Sequence, residues 1–99
     1  MSNPLEKVIE EKVNAYAKDK DVAVYKFTSP ARAAVPDRLY ILPWGDVAFI
    51  EFKRKGKVPT PAQEREHTRL RERGVKVFVI DNVEDGKAMV DKLMVRNGN

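Results

Sequence analysis

The stretch Val35-Pro36-Asp37-Arg38-Leu39-Tyr40-Ile41-Leu42-Pro43-Trp44-Gly45-Asp46-Val47-Ala48-Phe49-Ile50-Glu51-Phe52-Lys53 holds two apolar runs around a turn. Arg38 to Leu42 and Val47 to Lys53 are strand-like, and Pro43-Trp44-Gly45-Asp46 supplies the turn chemistry, so the segment reads as a β-hairpin. Side chains alternate along a strand, which puts Glu51 and Lys53 on one face and Phe52 on the other. A short turn also brings the start of the first strand beside the end of the second. Asp37 is thereby a neighbour of Glu51 and Lys53, although 14 positions separate it from Glu51. Phe49, Ile50 and Phe52 mark the second strand as buried, where an unpartnered charge is costly. Glu51 and Lys53 must pair, meet a metal, or emerge at the sheet edge.

Working outward, Ser2 or Asn3 can cap a first helix with Pro4 at its first position. Leu5, Val8, Ile9, Val13, Tyr16 and Ala17 recur at helical spacing up to about residue 18. Val22 to Thr28 reads as a strand ended by Ser29-Pro30. Beyond the hairpin, Thr60, Pro61 and Gln63 form a capping-box helix start, and Gly74 stops that helix. Val75 to Ile80 is an almost wholly apolar strand, as expected of one buried on both faces. Asp81 or Asn82 can cap a last helix carrying Met89, Val90, Leu93 and Met94. The expected order is α-β-β-β-α-β-α. Its strand-helix-strand unit implies a parallel crossover joined to the antiparallel hairpin, hence a mixed α/β sheet flanked by helices.

Ninety-nine residues, 42% hydrophobic and 34% charged, fit one folded domain spanning 1–99, with residues 95–99 as a loose tail. No apolar run approaches the roughly 20 residues of a membrane span, and the first residues lack the order of a signal peptide. The absence of cysteine excludes disulfides and thiolate-bound zinc. The cytoplasm of a bacterial or phage-infected cell is the expected location. A net charge of +4 favours a polyanionic partner, through release of counterions.

Two carboxylates and an ammonium at one sheet end suit a hard divalent cation beside a phosphate. Mg²⁺ takes one or two carboxylates and completes its shell with water and substrate oxygens. Such a cation polarises a phosphate and acidifies a bound water, while the lysine steadies that water or the developing charge. Pro36-Asp37 followed by Glu51-Phe52-Lys53 resembles the PD-(D/E)xK nuclease signature. With Glu10, Lys26-Phe27-Thr28-Ser29-Pro30, Val35-Pro36-Asp37-Arg38-Leu39, Phe49-Ile50-Glu51-Phe52-Lys53, and Pro61 with Gln63 and His67, the chain is similar over about residues 5 to 85 to the small stand-alone VRR-NUC domains of phages and prophages.

That resemblance implies a restriction-endonuclease-like core and a Mg²⁺-dependent endodeoxyribonuclease, with Mn²⁺ as a substitute ion. It implies Asp37 and Glu51 as metal ligands, the Phe52 carbonyl as a further one, Lys53 as the water-orienting residue, and Glu10 and Gln63 in support. Glu10 would act at the metal directly or through water, with Glu6 one turn earlier as the fallback. It also implies a homodimer acting on branched DNA such as four-way (Holliday) junctions. The chain departs from the expected pattern at Ala34, where a glycine is expected directly before Val35-Pro36-Asp37. An inert DNA-binding module of the same fold, or a protein-binding domain in which Glu51 and Lys53 form only a salt bridge, are the rival readings.

Helix 61–73 has almost no apolar face, and Gln63, His67 and Leu70 form the stripe expected to face inward, His67 beneath the metal site. Arg65, Arg69, Arg71 and Arg73, interleaved with Glu64, Glu66 and Glu72, read as a solvated face. Arg54, Lys55 and Lys57, in a basic loop directly after the site, are expected to grip DNA phosphates, with Arg32 and Arg38 as companions. Trp44 at the hairpin tip is expected to pack on a neighbouring element or subunit rather than to stack on a base. Two groups, Tyr40, Ile41, Leu42 and Trp44 at the hairpin and Met89, Leu93 and Met94 in the last helix, exceed the needs of one small core. One of them is expected to form a two-fold interface.

Overall fold

The computed structural model describes residues 4–95, so the caps expected at Ser2 or Asn3 and residues 96–99 of the expected tail 95–99 lie outside the described residues. Three helices and four strands follow in the expected order: α1 (Pro4–Asp19), β1 (Ala23–Lys26), β2 (Arg38–Ile41), β3 (Val47–Phe52), α2 (Pro61–Glu72), β4 (Lys76–Ile80) and α3 (Val83–Leu93). The sheet runs β1-β2-β3-β4. The first three strands pair antiparallel, with Arg38 opposite Ile50 and Tyr40 opposite Ala48. β4 lies parallel to β3, with Glu51 opposite Val79. The strands are shorter than the apolar runs suggest, although the Phe27 N–H still bonds the Asp37 carbonyl (2.8 Å) and the Lys53 N–H that of Ile80 (2.9 Å).

Strand alternation divides the sheet into two unlike faces. One carries Tyr40, Ala48, Ile50, Phe52 and Ile80 against Val13 and Ala17 of α1 and Met89, Val90 and Leu93 of α3; this is the buried core. At Gly86 a Cβ would overlap Val13 and lie 3.2 Å from Ile80 Cγ2, so this glycine sets how closely α3 approaches α1 and β4. Tyr40 sends its hydroxyl to Asn14 Oδ1 (2.6 Å), satisfying a buried donor. The other face is covered at its β4 end by α2, which starts at the full Thr60–Gln63 capping box. Arg71 donates to the Val77 carbonyl (2.7 Å) on this side.

Several expectations change. Leu5 and Val8 are exposed: the buried side of α1 is marked by Glu10, Val13 and Ala17, and Val8 stands roughly 140° from Val13 around the helix. β4 lies at the sheet edge, yet burial reaches both of its faces as expected, Val77 on the α2 side and Ile80 in the core. Both groups assigned to a two-fold interface are largely consumed internally: Tyr40, Leu42, Met89 and Leu93 are buried, and Trp44 and Met94 pack against them. Glu66, read as part of a solvated face, is also buried. Asn82, one of the two candidates, caps α3 by accepting the Asp85 N–H (2.8 Å).

Candidate active site

Glu51 closes β3 on the α2 side of the sheet, and Lys53 follows two residues later on the same side. Both are mostly buried, and Lys53 Nζ lies 4.0 Å from Glu51 Oε2. Gln63, fixed by its capping box at the start of α2, donates from Nε2 to Glu51 Oε2 (3.4 Å). One turn on, His67 is fully buried with Nε2 3.6 Å from Glu51 Oε1. Neither ring nitrogen has a hydrogen-bond partner at normal distance among the described residues. Burial, then the nearby Arg71 charge, holds the imidazole pKa below its ordinary value, so at neutral pH it is an uncharged donor facing a carboxyl. The inward stripe of α2 is therefore Gln63, His67 and half-buried Leu70.

Asp37 sits exposed immediately before β2, within electrostatic reach of Glu51. Burial pushes the Glu51 carboxyl up to about 7; Lys53 pulls it back, and the negative charges of Asp37, Glu6 and Glu10 raise it further. Glu6 is likewise raised, chiefly by burial, with Lys53 lowering it and Glu10 and Asp37 adding to the rise. Glu6 thus shares the electrostatic field of Asp37, Glu51 and Lys53. Glu10, 7% exposed, receives the Arg38 Nε–H and faces Tyr40.

The arrangement is an excess of carboxylates over cations. Glu6, Glu10, Asp37 and Glu51 converge on Lys53 and Arg38, which leaves two negative charges uncompensated when all are ionised. A divalent cation balances that excess. Among the described residues, no three of His, Cys, Asp or Glu stand close enough to make a complete metal cage. The donor set fits Mg²⁺ rather than a fully protein-ligated ion, since Mg²⁺ keeps several waters and substrate oxygens.

The companions of the site fall differently. Arg54, Lys55 and Lys57 are exposed at the end of the sheet that bears Lys53. Their loop is anchored: the Lys57 N–H bonds the Arg54 carbonyl (3.0 Å) and the Gly56 N–H bonds Asp81 Oδ2 (3.1 Å). Arg32 donates from Nε (3.2 Å) and Nη2 (3.0 Å) to Glu66 Oε1, and Arg38 is bound to Glu10, so both guanidinium groups brace the fold. Glu66 is the residue that sequence reasoning missed. It lies three positions after Gln63, on the flank of the inward stripe, and that spacing was the available signal. Ala34 has φ of 66°, the left-handed conformation that glycine adopts without strain. The loop before Asp37 keeps a glycine-like shape without the glycine.

No protein-family model matches the chain. A phage protein, "Putative nuclease p44" of Acyrthosiphon pisum secondary endosymbiont phage 1, is 53% identical over 58 residues, 59% of this chain and 62% of that protein. The chain therefore aligns to less than two thirds of that relative's length. A solved structure of a "VRR_NUC domain" superposes with a TM-score of 0.67 at 37% identity, covering 91% of this chain and 98% of that one. With near-complete coverage of that domain at this identity, the chain belongs to the VRR-NUC domain family.

Proposed function

We propose that this protein is a Mg²⁺-dependent DNA endonuclease, with Mn²⁺ as a substitute ion, that acts as a homodimer on branched DNA such as four-way junctions. The observation that carries the reading is Glu51, a nearly buried carboxyl held by Gln63, faced by neutral His67 and set beside Lys53 and Asp37. Asp37, Glu51 and the Phe52 carbonyl would hold the ion, with Glu10 or Glu6 completing its shell through water. When bound, the ion supplies Lewis acidity toward a phosphate oxygen and acidifies water. Lys53 then donates hydrogen bonds to the attacking water and to the charge that develops on the phosphoryl oxygens. Gln63 and His67 position Glu51, and Arg54, Lys55 and Lys57 grip the phosphates flanking the cut. Water adds to phosphorus as the P–O bond breaks, and the departing oxygen takes up a proton. The left-handed backbone of Ala34 supports the active reading over the inert module, since the loop before Asp37 keeps a glycine-like shape.

The test is cleavage of labelled linear, flap and four-way DNA with Mg²⁺, Ca²⁺ or chelator. Cutting is expected with Mg²⁺ or Mn²⁺, little with Ca²⁺, and none in chelator. Asp37→Asn, Glu51→Gln and Lys53→Ala are each expected to abolish cutting while DNA binding persists. Undiminished cutting in chelator, or by Lys53→Ala, would overturn the mechanism.

A further inference from the structure

A cavity of about 560 Å³ opens beside the hairpin tip, away from the candidate centre. Trp44 and Asp46 line it from the turn between β2 and β3, Lys76 and Phe78 from β4, and Lys92 and Leu93 from the end of α3. Phe78 lies opposite Ile50, on the core face, whereas Glu51 lies on the α2 face. The two ends of β3 are also roughly 17 Å apart, at about 3.3 Å per residue. The cavity and Glu51 therefore occupy opposite faces and opposite ends of the sheet. Its walls are of two kinds. Trp44 and Phe78 are partly buried rings packed on the core, and Leu93 belongs to that core. Lys76 and Lys92 are exposed, and neither ammonium has a hydrogen-bond or ion-pair partner among the described residues. Asp46 Oδ2 accepts the Trp44 indole N–H (3.0 Å), which leaves Oδ1 as an acceptor. Two lysines and one aspartate give the cavity an excess of positive charge.

We infer that this cavity binds a single nucleotide, its base against the Trp44 and Phe78 rings and its phosphate on Lys76 and Lys92. Volume, shape and charge agree. Pockets of ~300–1,000 Å³ suit small ligands, and a base with its phosphate fits where a duplex does not. Aromatic rings receive the π-face of any base, and the ammonium groups match a phosphate. Asp46 Oδ1 accepts an amino or ring N–H group from the base edge. An acidic peptide would satisfy the lysines but leave the aromatic walls and Asp46 unused. Trp44 thus packs on a neighbouring element, as expected, and also lines a ligand site. The source is either a free nucleotide or the last nucleotide of a DNA strand. A nucleotide held here lies outside the candidate centre, so the inference stands apart from the nuclease reading.

The test is an NMR titration of isotope-labelled protein in chelator, followed at the indole N–H of Trp44, the single tryptophan of the chain. The probe is deoxyguanosine monophosphate, whose base carries the amino and ring N–H donors that suit Asp46. A saturable shift of this one resonance is expected, with deoxyguanosine or inorganic phosphate alone binding at least about tenfold more weakly. Lys76→Ala combined with Lys92→Ala removes two exposed side chains, so the backbone spectrum should persist while affinity falls at least about tenfold. Lys12→Ala combined with Lys18→Ala removes the same charge from exposed positions of α1 and should leave the affinity unchanged. An unmoved indole at millimolar nucleotide, either half of the probe binding as tightly as the whole, or equal losses in both double variants would overturn the inference. A single-stranded oligonucleotide with a terminal phosphate that competes better than the mononucleotide supports the inference and assigns the cavity to a strand end. One that fails to compete supports it with a free nucleotide as the occupant. A protein that binds the probe but cuts no DNA supports this inference and removes the nuclease reading, whereas an active nuclease with an unmoved indole does the reverse.

Discussion

Glu51 concentrates the chemistry of the site and also its cost to folding. In metal-free protein the folded carboxyl keeps its proton up to about pH 7, whereas the unfolded group releases it near 4.5. Between those values the folded state binds more protons, so stability falls as pH rises through the window. At about 1.36 kcal/mol per unit, the loss is on the order of 3 kcal/mol, complete above about pH 7. Urea unfolding in chelator is expected to show it. Glu51→Gln should flatten the slope and exceed the wild type in stability at about pH 8, and a wild type with no slope would contradict the burial of Glu51. Added Mg²⁺ should stabilise more at high pH than at low. The clustering of Asp37, Glu51 and Lys53 was legible because strand alternation and a short turn are local rules. Glu66 was not, because a glutamate among arginines reads as solvated until Arg32 arrives from a loop 34 positions away. Glu6 against Glu10 was equally open: helical spacing puts both on one side of α1, and Arg38 on β2 claims one of them.

At the scale of elements, α2 was the most legible because its start is specified by neighbours in sequence. Thr60 and Gln63 satisfy each other's backbone N–H groups, and the same Gln63 side chain reaches Glu51. The extent of α1 was legible, but the way it packs was not. Its apolar spacing marks six inward positions, yet the buried side centres on Glu10, Val13 and Ala17 and leaves Leu5 and Val8 exposed. In α3, Gly86 lies mid-helix at a conformational cost of about 1 kcal/mol relative to alanine, and close packing on Val13 and Ile80 explains it. Gly86→Ala gains helix propensity but forces α3 away from α1. The expected net destabilisation is about 1–2 kcal/mol, read as a lower urea midpoint with an unchanged slope. A stabilised variant would show that Val13 can turn aside.

At the scale of the molecule, the antiparallel hairpin and the parallel crossover were legible from turn chemistry and element lengths, but which face each helix covers was not, since that is settled only by packing. Tyr40, Leu42, Met89 and Leu93 therefore read as surplus when they are the core, and the uncovered face carries other residues. Charge distribution makes a separate prediction. If Arg54, Lys55 and Lys57 each neutralise a phosphate, replacing all three with Ala weakens binding to every DNA sequence alike. The log–log salt dependence should flatten by about one unit for each phosphate no longer neutralised, and an unchanged slope would place the loop in solvent. The parallel pairing of β3 with β4 also bears on synthesis. A ribosome adding ~5–20 residues per second takes roughly one to six seconds to travel from Phe52 to Ile80. During that interval the strand bearing Glu51 has been made, but its parallel neighbour has not, and α2 is only now being translated. The proposed centre is thus assembled late, from pieces translated far apart. A nascent chain that has not yet made β4 lacks the parallel neighbour of Glu51, so the proposed centre is complete only after translation has passed the sheet.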